Sequence, residues 1–550
     1  MRTRLRLLRF SLRSPRRLPF QLILSVALLI LGAPGCSRRQ AAADLVIING
    51  IESGTLDPAL ATSIEELRVV MSLFEGLTRT DPVTGGPIPG LAERWDISDD
   101  RKTYTFHLRT NAHWSTGQAI TADDVAYSWK RVLSPETGAD YAGQFFYIRN
   151  AEAFFNGKLK DPDKLGFRAV DPFTFRVELN NPTAFFLDLC AFQTLAVVPR
   201  WLIEKHGDAW LRQRPLPSSG AYELLEWRLN DKIRLKKNPR YWDAAQTGCD
   251  VVDLLPVSSP NTALNLYETG QADIIWDKDV IPNELLDQLR RRPDCHHFNY
   301  VGTYFIRLNV TRKPFDDPRV RQALALCVDK KRIVDRITKG SEPIASHLVP
   351  DGTANYEGAP GLGYDPARGR ELLAAAGYPG GKNFPSFQYL FDGAVKIHVQ
   401  IAVELQEMWR RELGIAMELQ QMEKKVYLDA QTHLTYDLSR SSWIGDYNDP
   451  NTFLDLFLSN NGNNRTGWKN ERYDRLMGEA NAQTDLQKRA ALLREAETLL
   501  VRDEVPIIPL YFYAGYNFYH APGISGIYPN LLDLHPVNAI RKAAGATPRP

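Results

Sequence analysis

From Asp44 onward the chain alternates two kinds of apolar spacing, and that alternation admits an α/β fold and little else. Tyr104, Phe106 and Leu108 interleave with Thr103, Thr105 and His107, the two-residue period of a half-buried strand. Thr121 then offers an N-cap, Asp123 and Asp124 suit the first helical turn, and Val125, Trp129 and Val132 share one helical face. Phe173, Phe175, Val177 and Leu179 alternate as another strand. Asp317-Pro318 reads as an N-cap followed by proline at the first helical position, with Val320, Leu324 and Cys327 as the buried stripe. Ile397, Ile401, Leu405, Met408 and Leu413 predict a long amphipathic helix closed by Gly414, after which Ile415, Met417 and Leu419 alternate as a strand.

At 550 residues the chain outgrows a single hydrophobic core, so two or three lobes are expected. No internal repeat is visible. A hydrophobic share of 44% and a charged share of 24% are those of an ordinary globular protein. Charge is distributed unevenly. Arg2, Arg4, Arg6, Arg9, Arg13, Arg16 and Arg17 are unopposed by any acid in the first 35 residues, and without them the formal charge moves from +2 to −5. A mildly acidic remainder has no electrostatic footprint for nucleic acid.

That basic leader precedes a largely apolar Leu18–Ala33 and then Gly35-Cys36, followed by polar Ser37-Arg38-Arg39-Gln40. This is the pattern of a signal peptide over 1–35, with an apolar core short for a bilayer span. The Cys after a small residue resembles the bacterial lipobox, although Ala33 and Pro34 depart from its usual residues. It implies lipidation at Cys36, a tether over 36–43 and attachment to a membrane. A simple secretory cut and an uncleaved anchor are the plainer readings. Arg16-Arg17 in so Arg-rich a leader is weak evidence for twin-arginine export.

Cys190, Cys249, Cys295 and Cys327 form no Cys-x-x-Cys motif; two disulfides or plain buried packing are both open. His296-His297 lacks the helical acid–His spacing of a metal site and reads as a polar strand end, so no metal or cofactor is expected. The chain has no His-Glu-x-x-His, no Gly-x-Ser-x-Gly and no complete phosphate loop, since Gly377-Tyr378-Pro379-Gly380-Gly381-Lys382 ends in Asn383 and reads as a turn after a helix. The run Tyr511, Phe512, Tyr513, Tyr516, Phe518, Tyr519 reads as alternating core packing between lobes rather than base stacking.

Eight segments carry a resemblance. They are NGIESGTLDP (Asn49–Pro58), LFEGLTR from Leu73, the block Pro89–Pro135, NPRYWD (Asn238–Asp243), ETGQADI (Glu268–Ile274), Phe305–Lys330, LLAAAGYPGG (Leu372–Gly381) and WIGDYNDP (Trp443–Pro450). In this order they resemble the blocks of the extracytoplasmic oligopeptide-binding proteins of ABC importers, solute-binding family five, over nearly all of 44–535. The resemblance implies a two-lobed periplasmic-binding-protein fold of class II type with an additional inserted domain. It divides the chain into a main lobe (44–74, 200–301 and 515–550), an extra domain (75–199) and a second lobe (302–514). It implies a binding protein and not an enzyme, short peptides as ligand, permease subunits of an ABC transporter as partner, and a monomer.

The resemblance also assigns roles. Asp446 matches the Asp that pairs with a peptide ammonium; from the residues alone it could equally cap the turn into Asn448-Asp449-Pro450. Ser442 to Ile444 match one backbone edge beside the ligand, and Thr62, Ser63 and Ile64 the opposite one, so that recognition is by strand addition. Arg440 matches an Arg near the ligand carboxylate, with a structural acid as the plainer partner. Lys396 stands where some members have a His for that carboxylate, or is simply exposed on its helix. Tyr141 matches a Tyr lining the site, and Trp443 a pocket wall or plain core. Two departures stand out: a disulfide of some members falls here on Gly302 and Ile444, and a second pocket Trp falls on Lys424. Losing that Trp shifts the expected pocket preference toward acidic or polar side chains. Within the resemblance, binders of dipeptides, nickel, haem, opines and oligosaccharides remain open, as does a sensory or wall-peptide-recycling receptor.

Overall fold

The strand and helix signals fold where the spacing puts them. A computed structural model of the chain describes residues 42–276, 280–339, 342–393 and 396–543. The leader, Cys36 and most of the tether lie outside the described residues. Strand Thr103–Leu108 buries Tyr104, Phe106 and Leu108. Helix Ala122–Leu133 starts at Thr121, whose N–H donates to Asp124 Oδ2 at 2.9 Å, and buries Val125, Trp129 and Val132. Asp317 caps helix Pro318–Leu326, and the helix Lys396–Leu413 ends at Gly414 with φ of 68°, the left-handed turn that glycine allows.

A ten-stranded sheet organises the molecule. From one edge its order is Met417–Met422, Phe387–Asp392, Leu438–Ile444, Cys295–Leu308, Ile507–Tyr519, Ile274–Ile275, Leu45–Gly50, Val251–Pro256, Lys232–Lys237 and Tyr222–Arg228. Parallel pairs at each end, Leu45–Gly50 with Val251–Pro256 and Phe387–Asp392 with Met417–Met422, make two α/β lobes. Two long antiparallel strands, Cys295–Leu308 and Ile507–Tyr519, join them. Their pairing runs from Cys295↔Phe518 to Asn299↔Ala514, lapses, and resumes at Thr303↔Phe512. The lapse falls where the pair leaves one lobe for the other, and Gly302 sits in it, opposite Ile444. A Cβ on Gly302 would lie 2.6 Å from the Tyr513 ring, which explains glycine there.

Buried residues fill almost the whole of Ile507–Tyr519, so the expected alternation is absent. Its aromatics serve cores on both faces: Tyr511 joins the core of the second lobe, Tyr516 and Phe518 a cluster under helix Pro260–Glu268, and Tyr519 the core of the first lobe. The four described cysteines are free; Cys190, Cys249 and Cys327 are buried packing residues.

A separate antiparallel sheet, ordered Ala92–Ile97, Thr103–Leu108, Thr174–Glu178, Phe167–Asp171, carries the additional domain. Trp129 fixes it, meeting Phe145, Phe167 and Phe175 edge-on at 5.1 to 5.4 Å and donating to the Leu195 carbonyl at 3.1 Å. Its buried residues run without a break into those of the first lobe. One tie is ionic: both Arg131 nitrogens bond the Asp57 carboxylate, at 2.8 and 2.5 Å, and Trp210 adds a third bond at 3.1 Å.

Candidate functional site

A cavity of about 260 Å³ lies where the additional domain, the first lobe and the second lobe meet. Thr62, Ser63 and Ile64 line one side, Tyr141 and Phe192 another, and Ile444, Gly445, Asp446 and Tyr447 a third; Phe298 and Tyr300, at the start of the pairing lapse, also face it. The side contacts are closed. Phe185 stacks on Tyr447 at 4.5 Å, and the Tyr147 hydroxyl donates to Asp455 at 2.7 Å.

Asp446 does not cap the following turn. Asp449 does that, accepting from the Asn451 N–H at 2.9 Å, while the Asp446 N–H donates to Thr452 Oγ1 at 3.1 Å. The Asp446 carboxylate instead lines the cavity, where it accepts from Gln144 Nε2 at 3.1 Å and from the Tyr141 hydroxyl. No cation pairs with it among the described residues. Burial therefore pushes its carboxyl up to about 7, against the two hydrogen bonds. Such a carboxylate is built to receive an ammonium group.

Beside it runs an unused strand edge. The Gly445 N–H donates to the Val301 carbonyl at 2.7 Å, and the Asn309 N–H to the Asp437 carbonyl at 2.9 Å. Antiparallel alternation then turns the N–H and C=O groups of Ser442 and Ile444 away from Cys295–Leu308. On that outer side Phe387–Asp392 pairs only with Leu438 and Ser439, so Ser442 and Ile444 face no strand. Further along, half-buried Arg440 lies over the Tyr304 ring, 4.9 Å from its centroid, and donates to the Tyr513 hydroxyl at 3.2 Å. It makes no ion pair among the described residues, and its Nε is buried without a hydrogen-bond partner. This is a constellation of donors lacking an anion.

The other expectations divide. Thr62, Ser63 and Ile64 reach the cavity, but as the start of helix Ile64–Leu73 rather than as a strand edge. Glu66 Oε2 already accepts from the Thr62 and Ser63 N–H groups at 2.8 and 3.0 Å, in a capping box legible as Ser63-x-x-Glu66. Trp443 packs into the second lobe's core and does not line the cavity. Lys396, at the exposed start of its helix, reaches Glu284 at 3.4 Å with 75% of its side chain exposed and does not line the cavity, which fits the plainer of its two readings. Lys424 heads helix Lys424–Thr432, and its side chain lies outside the described residues. Sequence reasoning missed Phe192, Tyr300 and Tyr447, which reach the cavity, and Gln144, which bonds Asp446, because tertiary packing alone places them and they lie in no spacing pattern. Among the described residues no cluster of His, Cys, Asp and Glu could hold a metal, and no helix is long and apolar enough to cross a membrane.

Comparison with known proteins is consistent along the chain. A family model, bacterial extracellular solute-binding proteins family 5 Middle, matches residues 86–465. The periplasmic oligopeptide-binding protein OppA of Salmonella typhimurium is 36% identical over 85% of this chain and 87% of its own length. A probable deoxycholate-binding periplasmic protein of Escherichia coli is 35% identical over 84% of this chain and 87% of its own. Among solved structures, an oligopeptide-binding protein of Borrelia burgdorferi superposes with a TM-score of 0.80 at 32% identity, covering 91% of this chain and 99% of that one. Haemophilus influenzae OppA in complex with the peptide RPPGFSPFR superposes at 0.77 and 30% identity, covering 90% and 98%.

Proposed function

Because the chain belongs to the bacterial extracellular solute-binding proteins of family 5, we propose that it captures short peptides outside the cytoplasm and delivers them to the permease subunits of an ABC importer. The observation that carries this reading is the free edge at Ser442 and Ile444, bounded by a half-buried acid at Asp446 and a half-buried base at Arg440, neither in an ion pair among the described residues. A zwitterion laid along that edge satisfies all three at once. Its ammonium pairs with Asp446, its amides bond Ser442 and Ile444, and its carboxylate points toward Arg440. The peptide therefore runs antiparallel to Leu438–Ile444. At ~3.4 Å per residue, the six steps from Arg440 to Asp446 correspond to about 20 Å of extended chain, the scale of a short peptide. Backbone recognition of this kind binds many sequences.

A bile acid, the ligand in the name of one relative, has a carboxylate but no ammonium and would leave Asp446 buried without a partner. The relatives above are binding proteins, and the site's groups are arranged to hold a ligand's two ends. The protein acts as a monomer, with the domain division 44–74, 200–301 and 515–550, then 75–199, then 302–514. The basic leader, its apolar stretch and Gly35-Cys36 support export and an acyl anchor at Cys36. Native mass spectrometry of the purified protein tests the ligand class: masses of short peptides are expected, and a co-purified sugar, bile acid or metal would overturn the reading. Mass spectrometry of the mature amino terminus tests the anchor, and an unacylated Cys36 reduces it to a plain secretory signal.

A further inference from the structure

The cavity is larger than an ammonium group requires, and its lining is acidic. Glu65, Asp188, Asp446 and Asp533 are its acids, and Arg68 is its one base among the described lining residues. Arg68 is committed, donating to the Trp276 carbonyl at 2.5 Å and to Asn49 Oδ1 at 3.3 Å, with only its Nε unpartnered. Asp533 is committed too, bonded to His535 at 2.7 Å and to Asn517 at 3.1 Å. Glu65 and Asp188 are not. Neither carboxylate has an ion-pair partner among the described residues; Asp188 is held only by its own backbone N–H, and Glu65 is only 8% exposed. Burial, and then the neighbouring charge of Asp449, push Asp188 up to about 7.

A separate observation points the same way. Gln193, 4% exposed and on the same wall, has a buried Oε1 with no donor. Phe192 beside it packs edge-on against Tyr141 at 5.1 Å, and Tyr141 bonds Asp446. The wall that holds the ammonium partner is thus continuous with the wall that carries the spare acceptors.

We propose that this cavity takes the side chain of the peptide's first residue and selects a cationic one, with Glu65, Asp188 and Gln193 as acceptors for its ammonium or guanidinium group. The proposal rests on the peptide reading above. Aromatic faces on Phe192 and Tyr447 cover the aliphatic stem, and the acceptors meet the charged tip. Neutral side chains of the same length leave a buried carboxylate, a half-buried one and an amide oxygen unmet.

Calorimetric titration with lysyl-alanyl-alanine and with norleucyl-alanyl-alanine tests this, since the two differ only in the charged tip. We expect the lysyl peptide to bind at least tenfold more tightly to the wild-type protein. In Asp188→Asn and in the Glu65→Gln, Asp188→Asn pair, each checked for folding by thermal melting, that ratio should fall toward one. Equal or tighter binding of the norleucyl peptide to wild type overturns the proposal and leaves the peptide reading standing. Failure of both peptides to bind overturns both.

Discussion

Asp446 keeps its proton in the empty cavity up to about pH 7, because it is buried with only Tyr141 and Gln144 for company. A carboxyl raised from 3.8 contributes stability that is full in acid and is lost as pH rises through about 7. A ligand ammonium reverses the preference by pairing the charged form. Peptide affinity should therefore fall as pH drops below about 7, by up to about tenfold per unit, in calorimetric titrations. An N-acetylated peptide should bind weakly and without that slope. Asp446→Asn should cost roughly 2–5 kcal/mol in peptide binding, because the ammonium is left buried without its partner. The same variant should melt higher than wild type when both are empty at pH 8, since the buried charge is gone. If the variant binds peptide as well as wild type, the site is misplaced. Local sequence at Asp446 fits a turn cap as well as a ligand acid, and only the resemblance of its segment points to the second. Lys396 stayed open between a ligand cation and an exposed helix position, since no spacing rule reports which way the first turn of a helix faces.

At the level of elements, two predictions follow from ties that sequence periodicity does not reveal. Asp57, in the loop after the first strand, holds Arg131 of the additional domain by a buried two-pronged pair. Asp57→Ala should destabilise the fold by about 3–5 kcal/mol in chemical denaturation, because Arg131 is left buried and unpaired. Gly302 and Ile444 face one another as a non-hydrogen-bonded pair, the closer kind in an antiparallel ladder. Gly302→Ala should destabilise the fold by about 1–3 kcal/mol in chemical denaturation, because the added Cβ would drive into the Tyr513 ring. An unchanged denaturation midpoint would contradict so close an approach. The elements themselves were plain in the sequence wherever one face is buried: Trp129 and Leu405 repeat at helical spacing, and Phe106 alternates with polar neighbours. Ile507–Tyr519 was misread as alternating because a strand deep in a ten-stranded sheet buries both faces, and two-sided burial erases the period.

Across the whole molecule, closure depends on contacts that span the lobes: Gln144 with Asp446, Tyr147 with Asp455, and Phe185 on Tyr447. Peptide should contract the protein in small-angle scattering and raise its melting temperature, with about 2.7 kcal/mol of stabilisation at a hundredfold excess over Kd. An unchanged scattering profile would contradict a closing cleft. The two-lobed plan was legible from the order of the eight segments; the continuity of the additional domain's core with that of the first lobe was not, because long-range packing leaves no mark on local spacing. The lone buried carboxylate has one more consequence. A membrane partner that reads the outline of this protein would be misled by a shut but vacant copy, which presents much the same profile as a loaded one. Asp446 guards against that counterfeit: at neutral pH the vacant shut state must either strand a negative charge or recruit a proton, whereas cargo brings its own positive charge. On the proposed reading, one acid then separates the loaded outline from the vacant one, and an acidic milieu blurs the difference.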